Sequence, residues 1–399
     1  MKQQTNIYYT QTFFAQLFFW CVFTINILYY VKIVDMNALQ LIIIGTILEC
    51  TIFLFEIPTG LIADLKGRKV SIILGYGLIG SGFLLEALFP VFIAIVASQV
   101  LWGIGYTCIS GATQAWITDE VGIAHIDKIF LINTQAENIG TCSGIIIAIA
   151  CSFVSLQFSI LIGGIGFVLL AIYVYVFLQE QRQLTISPTS LTYPVWLVIK
   201  EVAGSVKKSV LLQYCLWIAL IVGCYSEALD RLWILHLQHL LPTALTHKQY
   251  IVLIGGLQLA ISISVICLFT IFSKFEYPWK AQQLFKVIQG CYALLIVMML
   301  LFTLANELFL LVGSFFILQV TRQTLGTFEQ IWFNQIIPEN SNRATFLSVK
   351  SQMDAFGQIG GGPVTGILSQ LTSVKIGLLC SAILLSPVLY LYNKIRLKS

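Results

Sequence analysis

The sequence predicts an all-α integral membrane protein in which twelve transmembrane helices form two pseudo-symmetric six-helix bundles. The first observation is composition, because 58% of the 399 residues are hydrophobic and 10% are charged, whereas soluble domains average about 25% charged residues. The second is a series of twelve apolar runs, each near the ~20 residues that cross a bilayer. The third is a single long polar connection that divides these runs six and six. A soluble core could not bury so much apolar surface, so we expect lipid to surround most of the chain.

The predicted spans fall into an N-terminal bundle (1–178), a cytoplasmic linker (179–208) and a C-terminal bundle (209–399). The first six apolar runs lie at 12–34, 38–63, 70–90, 92–116, 129–154 and 157–178. The other six lie at 209–235, 248–272, 282–303, 306–332, 343–367 and 373–394.

The distribution of Lys and Arg in the short loops predicts the orientation. One side of the predicted membrane collects most of these residues, and the other side collects only Lys32, Lys248 and Lys375. Cationic loops stay in the cytoplasm, so we expect both termini to be cytoplasmic and the chain to be a multi-pass protein of the plasma membrane.

Several function classes find no support in the chain. The basic residues lie in short loops between apolar runs, so nucleic acid is not an expected partner. The ten cysteines lie almost entirely inside those runs and form no CxxC pair, so we interpret them as free packing thiols rather than metal ligands. The four histidines are assigned to loops. Neither a catalytic constellation nor a GxxxxGK(S/T) phosphate loop is present, so we predict neither an enzyme nor a cofactor.

The two halves share an internal repeat. Each contains a Q-x-W pattern at the end of a predicted span, which closes at Trp116 in the first half and at Trp332 in the second. About twenty residues later follows Q-x-(E/D)-x-x-G-x-x-x-G, in which Glu137 and Asp354 occupy the acidic position. Two parallel repeats that face one another form a cavity near the bilayer midplane, the architecture of alternating access.

The stretch between the second and third runs concentrates charge at a predicted membrane face. It reads Gly60-Leu61-Ile62-Ala63-Asp64-Leu65-Lys66-Gly67-Arg68-Lys69. This stretch resembles the loop 2–3 signature of the major facilitator superfamily, roughly G-x-x-x-D-x-x-G-R-(R/K). With the twelve spans and their six-plus-six division, the resemblance covers nearly the whole chain. The lead-in from Glu56 and the Arg343-Ala344-Thr345 segment are similar to bacterial multidrug and tetracycline-type efflux members.

The resemblance implies a gate at this loop. In the family, the signature Asp pairs with the signature Arg and an acid from the end of span 4 joins them, which corresponds here to Asp64, Arg68 and Asp119. We expect Gly60 to allow close helix approach and Gly67 to permit a tight turn, with Lys69 completing the signature. The alternative is that the cations only fix the membrane topology.

The chain also departs from the pattern of drug:proton antiporters. These often carry an Arg in span 4 before a G-x-G sequence, and Gln99 occupies that position here. The glycine signature of span 5 lacks its proline, since the segment reads Gly140-Thr141-Cys142-Ser143-Gly144. Both departures favour a facilitator or an uptake permease over an antiporter.

Polar and ionisable residues within the predicted spans are the candidate cavity residues, because such groups are costly in lipid and usually face a bundle interior. They are Asn26, Glu49, Glu137, Glu227, Asp230, Arg231, Arg322, Glu329, Asp354 and Gln358. Two further acids are interpreted differently: Glu56 as part of the packing at the gate and Glu86 as a solvated helix end.

Spacing predicts which of these residues share a helix face. Glu227 and Arg231 are four apart and can pair, either within the cavity or as a structural pair at the outer rim. Arg322 and Glu329 are seven apart and lie on one face. Together with Asp354 they form the best candidate for ion coupling. Glu137 and Asp354 are related by the repeat, either as protonatable carboxylates or as groups that serve an interface.

The function predicted first is proton-coupled efflux of small amphipathic compounds by a monomeric secondary transporter. Buried carboxylates and abundant aromatic rings suit a cationic cargo. A facilitator or uptake permease for a small metabolite is the alternative, and a non-transporting membrane sensor is a third hypothesis. Small molecules, protons and lipid are the expected partners.

Overall fold

The computed structural model describes residues 2–121, 126–180, 210–240, 247–272, 281–336 and 343–396. These residues form fifteen α-helices and no strand, as expected of an all-α membrane protein. In lipid, an α-helix satisfies its backbone hydrogen bonds internally, so apolar runs of this length fold as helices.

The helices of the first half follow the six predicted runs. They are α1 (Lys2–Phe23), α2 (Asn26–Lys32), α3 (Ala38–Lys66), α4 (Arg68–Leu88), α5 (Phe92–Ile109), α6 (Ala112–Val121), α7 (Ile126–Ser152) and α8 (Leu156–Phe177).

The described part of the second half contains seven helices. Its helices are α9 (Val210–Leu240), α10 (His247–Phe272), α11 (Ala281–Leu304), α12 (Leu308–Ile336), α13 (Arg343–Leu371), α14 (Val374–Leu385) and α15 (Pro387–Arg396).

Ten stretches of the described residues are long and apolar enough to cross a membrane. They coincide with ten of the twelve predicted runs. The other two runs form α7 and α13, which are 27 and 29 residues long. A multi-pass membrane protein is therefore confirmed, and the count of twelve spans stays a prediction.

Three predicted spans are interrupted helices. The run at 12–34 breaks between α1 and α2, the run at 92–116 breaks at Gly111, and the run at 373–394 breaks at Ser386. Gly111 has a φ of 71°, a left-handed conformation that glycine adopts without steric cost. Pro387 opens α15, where its missing N–H removes no helical hydrogen bond.

Contacts between Cα atoms divide the chain into two units. The first comprises residues 1–36, 47–186 and 243–263, and the second comprises 37–46, 187–242 and 264–399. The predicted bundle boundaries stay a prediction, and most of the predicted linker lies outside the described residues.

The repeated G-x-x-x-G pattern packs helices within each unit. In the first unit, a Cβ at Gly140 of α7 would clash with the backbone oxygen of Phe13 in α1. In the second unit, a Cβ at Gly361 of α13 would lie 2.5 Å from Cα of Cys224 in α9. Small residues let membrane helices approach backbone to backbone. The pattern therefore places Glu137 and Asp354, the acids that precede these glycines, beside a tight helix contact.

Candidate functional site

The loop between α3 and α4 carries the signature cluster of the first unit. Arg68, the first residue of α4, forms an ion pair with Asp119 of α6 at 2.7 Å between Nη1 and Oδ2. Gly67 has a φ of 100°, so its predicted role as the tight turn is supported by its backbone. A Cβ at Gly60 would meet no described atom within 4 Å, and the predicted close approach at Gly60 stays a prediction. The side chain of Asp64 is outside the described side chains.

Glu180 completes this cluster and was not predicted. Its carboxylate accepts hydrogen bonds from the backbone N–H groups of Arg68 at 2.9 Å and of Lys69 at 3.1 Å. A carboxylate at a helix N-terminus satisfies otherwise unpaired N–H groups and interacts favourably with the helix dipole. The preceding residue, Gln179, accepts a hydrogen bond from the indole Nε1 of Trp116 at 3.2 Å. The segment that follows α8 is therefore bound to the first turn of α4.

An ion pair between α9 and α12 lies within the second unit. The guanidinium of Arg322 binds both carboxylate oxygens of Asp230, with Nη2 at 2.6 Å from Oδ2 and Nη1 in contact with Oδ1. Its Cζ also lies 5.9 Å from the ring centroid of Tyr225. Two parallel hydrogen bonds fix the geometry of an Arg–carboxylate pair. The sequence named both residues as candidates but did not pair them.

Glu227 and Arg231 of α9 form the pair that their spacing predicts. Arg231 Nε lies 3.0 Å from Glu227 Oε1, and Glu227 is 3% exposed. Two Arg–carboxylate pairs thus occupy neighbouring turns of α9.

Glu329 of α12 is held by residues from three other helices. Its Oε1 accepts hydrogen bonds from the hydroxyl groups of Tyr292 at 2.6 Å and Tyr392 at 3.0 Å. Its Oε2 lies 3.7 Å from Nζ of Lys350. The same Nζ lies 4.4 Å from the ring centroid of Phe333. Burial of Glu329 is compensated by two hydroxyl donors and one cation.

Arg322, Glu329 and Asp354, the predicted ion-coupling group, each have other hydrogen-bond partners, and their role in ion coupling stays a prediction. Arg322 binds Asp230, and Glu329 binds the two tyrosines and Lys350. Asp354 accepts a hydrogen bond from Nε2 of Gln358 at 3.0 Å, one helical turn away. Arg322 and Glu329 lie seven residues apart on α12 and bind different neighbouring helices, since residues at this spacing share a face only approximately.

Glu137, the repeat partner of Asp354, has a closely similar environment. Its Oε1 accepts a hydrogen bond from Nδ2 of Asn133 at 2.9 Å. Both acids of the repeat are therefore bound by a neutral amide one turn away on their own helix.

The remaining candidates differ in how deeply their side chains are buried. Asn26 begins α2 and is buried, and its Oδ1 accepts a hydrogen bond from the N–H of Ile27 at 2.8 Å. Glu49 is half-buried on α3, whereas Glu56 is exposed. Their predicted roles in the cavity and the gate stay predictions.

Two assignments are corrected by burial. Glu86 is 0% exposed, so it is not a solvated helix end. His236 lies inside α9 at 5% exposure, with Nε2 at 3.0 Å from the backbone oxygen of Phe302, so it is not a loop residue. Hydropathy alone misses both, since the burial of a polar residue depends on partners from other helices.

One cavity of about 550 Å³ lies within the second unit. It is lined by Leu235, His236, Thr303, Asn306, Ser369, Gln370, Ser373 and Lys375, among others. None of the predicted cavity residues lines it, and its walls lie at the ends of α9, α11, α13 and the start of α14.

Comparison with known proteins identifies the family. The model of the Major Facilitator Superfamily matches residues 9–349. Over 105 residues the chain is 31% identical to YxaM of Bacillus subtilis (strain 168), described as an uncharacterized MFS-type transporter. That alignment covers 25% of each chain, so the match spans about a quarter of this curated relative.

The fold is shared with solved transporters over almost the whole chain. A mutant of the nucleoside transporter NupG superimposes with a TM-score of 0.79 at 12% identity, covering 98% of this chain and 99% of NupG. A bacterial homologue of the human lysosomal transporter Spinster, in an inward-facing and unoccupied conformation, gives a TM-score of 0.71 at 13% identity, with 98% and 96% covered. These likenesses establish the fold.

Proposed function

Because the chain belongs to the Major Facilitator Superfamily and is therefore a transporter rather than an enzyme, we propose that it couples proton entry to the efflux of small amphipathic compounds. The proposal takes the protein to be a monomer of the plasma membrane with both termini in the cytoplasm. The asymmetric distribution of Lys and Arg supports this orientation.

The proposal depends on the neutral hydrogen-bond partner of the Asp354 carboxylate. Asp230, Glu227 and Glu329 each lie within ion-pair distance of a cation. Asp354 forms no ion pair among the described residues and is bound by the neutral amide of Gln358. Protonation of a carboxylate in a buried ion pair is costly because it leaves the cation unpaired. A carboxylate with a neutral partner gains and loses a proton without this cost. Asp354 is therefore the proposed proton carrier of the second unit.

The proposed cargo is cationic and amphipathic. The described part of the second unit places acidic groups near aromatic rings, since the ring of Tyr225 lies 5.9 Å from Cζ of Arg322, the partner of Asp230. A cation gains from aromatic faces once both are desolvated. Asp354 would attract such a cargo when ionised and release it when protonated.

The test is dye efflux from proteoliposomes with and without a pH gradient. Asp354→Asn should abolish gradient-driven efflux while leaving exchange of labelled cargo at equal pH. Asp35→Asn is the matched control, because Asp35 is exposed and its φ of 58° also suits Asn. Unchanged dependence on the gradient in Asp354→Asn would contradict the assignment.

An uptake permease is the second candidate, and the environment of Gln99 favours it. Gln99 is 2% exposed and hydrogen-bonds to Tyr30 and Trp102, so the position that holds Arg in many antiporters belongs to a neutral buried network here. Uptake of a labelled metabolite with an inward proton gradient, and no efflux when the gradient is reversed, would establish this candidate and exclude export.

A further inference from the structure

We propose that Glu86 is a second proton-binding site, located in the first unit and separate from Asp354. Glu86 lies in the last turn of α4 and is 0% exposed. Its Oε2 accepts hydrogen bonds from the hydroxyl groups of Tyr30 at 3.0 Å and Ser98 at 2.9 Å. Its backbone oxygen accepts a further hydrogen bond from the hydroxyl of Tyr29 at 2.5 Å.

The network continues from Tyr30 into α5. Nε2 of Gln99 donates to the Tyr30 hydroxyl at 3.4 Å, and the indole Nε1 of Trp102 donates to Oε1 of Gln99 at 3.1 Å. Trp102 donates to Gln99, Gln99 donates to Tyr30, and Tyr30 donates to Oε2 of Glu86, so the chain of donors ends at this oxygen. The network therefore holds one carboxyl oxygen as an acceptor and fixes the orientation of the group.

The other oxygen, Oε1, is buried and has no hydrogen-bond partner among the described residues. Glu86 also forms no ion pair with a described cation. The titratable groups that contact it are Tyr29 and Tyr30 of α2, while α5 contributes the neutral side chain of Ser98. The third helix packed on this part of α4 is α8, which contains no Asp, Glu, His, Lys or Arg between Leu156 and Phe177.

A single proton on Oε1 accounts for this arrangement. A charged carboxylate without a cation is costly in a buried apolar environment, whereas a neutral carboxylic acid is far less so. In the neutral acid, Oε2 is the carbonyl oxygen and still accepts both hydroxyl donors. Glu86 thus holds its proton in this conformation.

The position of Glu86 on α4 suits proton exchange at one membrane face. It lies 18 residues after Arg68, which is roughly 27 Å along the helix at 1.5 Å per residue. The helix ends at Leu88, and the following Phe89 is 56% exposed. The lid over Glu86 is α2, a seven-residue helix separated from α1 by the break at residues 24–25. Displacement of α2 would remove Tyr29 and Tyr30 and admit water to the carboxyl group.

This inference rests on the transporter assignment but not on Asp354, and its test does not require transport. Infrared difference spectra of the full-length protein in lipid, recorded between mildly acidic and alkaline pH, should contain the carbonyl band of a protonated carboxylic acid. Glu86→Gln should lose that band, and Glu56→Gln, which changes an exposed acid, should keep it.

A second measurement covers the case in which overlapping bands hide the signal. Raising the pH should lower the Tm of the wild-type protein more than that of Glu86→Gln, because only the wild type has to accommodate a charge at this position. Equal Tm responses of the two proteins, together with a carboxylic-acid band that is identical in Glu86→Gln and wild type, would show that Glu86 is ionised and overturn the proposal.

Discussion

Glu180 and Arg68 are joined through the backbone: the carboxylate of Glu180 accepts the N–H of Arg68 at 2.9 Å and that of Lys69 at 3.1 Å. The side chain of Arg68 is directed to a different acid, Asp119. One residue of the signature loop therefore connects α4 with two separate parts of the first unit, the end of α6 and the segment after α8. A gate built on this loop would have to break or carry along both connections.

Gly67→Ala should destabilise the protein by about 1–3 kcal/mol, because an L-residue is strained at a φ of 100° with extended ψ. The new Cβ would also lie 2.8 Å from Oε2 of Glu180. Thermal unfolding in detergent measures the effect. Gly60→Ala is the control, since a Cβ there meets no described atom within 4 Å, and it should leave the Tm unchanged or raise it. Equal losses in both variants would argue against the contact with Glu180.

Asp230→Asn should lower the free energy of unfolding by about 1–3 kcal/mol, because it leaves the guanidinium of Arg322 without its bidentate partner. This is less than the ~3–5 kcal/mol expected of a fully buried pair, since the two side chains are 25% and 43% exposed. The double variant Asp230→Asn/Arg322→Gln should recover part of the loss. Asp119→Asn breaks a pair of similar exposure, 14% for Arg68 and 49% for Asp119, which is joined by one contact instead of two, so this substitution should cost less, about 1 kcal/mol. If the double variant is less stable than Asp230→Asn, the pair is not the source of the effect.

Gly361→Ala should destabilise the second unit by about 1–3 kcal/mol through overpacking, because its Cβ would lie 2.5 Å from Cα of Cys224. The neighbouring substitution Gly360→Ala should have no such cost, since no described atom lies within 4 Å of its Cβ, and alanine is the better helix former. The Tm values of the two variants should therefore move in opposite directions. A shift of the same sign in both would contradict the packing of α13 on α9.

The sequence predicts those features that depend on local spacing. Glu227 and Arg231 pair because residues four apart meet on a helix, and the apolar runs coincide with helices because lipid demands internal backbone hydrogen bonds. The interruptions at Gly111 and Ser386 were not predicted, since hydropathy is continuous across them while the backbone conformation is not.

Features that depend on long-range contacts could not be predicted in the same way. Asp230 and Arg322 are separated by 92 positions, and Tyr30 and Glu86 by 56, so neither pair follows from the periodicity of one helix. The resemblance implied a cluster of Arg68 and Asp119, and these two residues form an ion pair, whereas Glu180 lay in a segment interpreted only as a linker. The site roles of Asp64, Asn26 and Glu49 remain predictions.

The glycine contact between α9 and α13 has a mechanical consequence. Cβ atoms at Gly223 and Gly357 would clash with the backbones of the opposite helix, at Asp354 and Leu220 respectively, so no side chain separates the two helices at this level. They should therefore move as one rigid piece, without sliding or rolling against each other. The backbone of Asp354 is then fixed relative to Glu227, Asp230 and Arg231. A proton that binds the carboxylate of Asp354 therefore changes the charge of the α9–α13 pair without moving the two helices relative to each other. The movement that such a proton triggers must take place where this helix pair meets its neighbours.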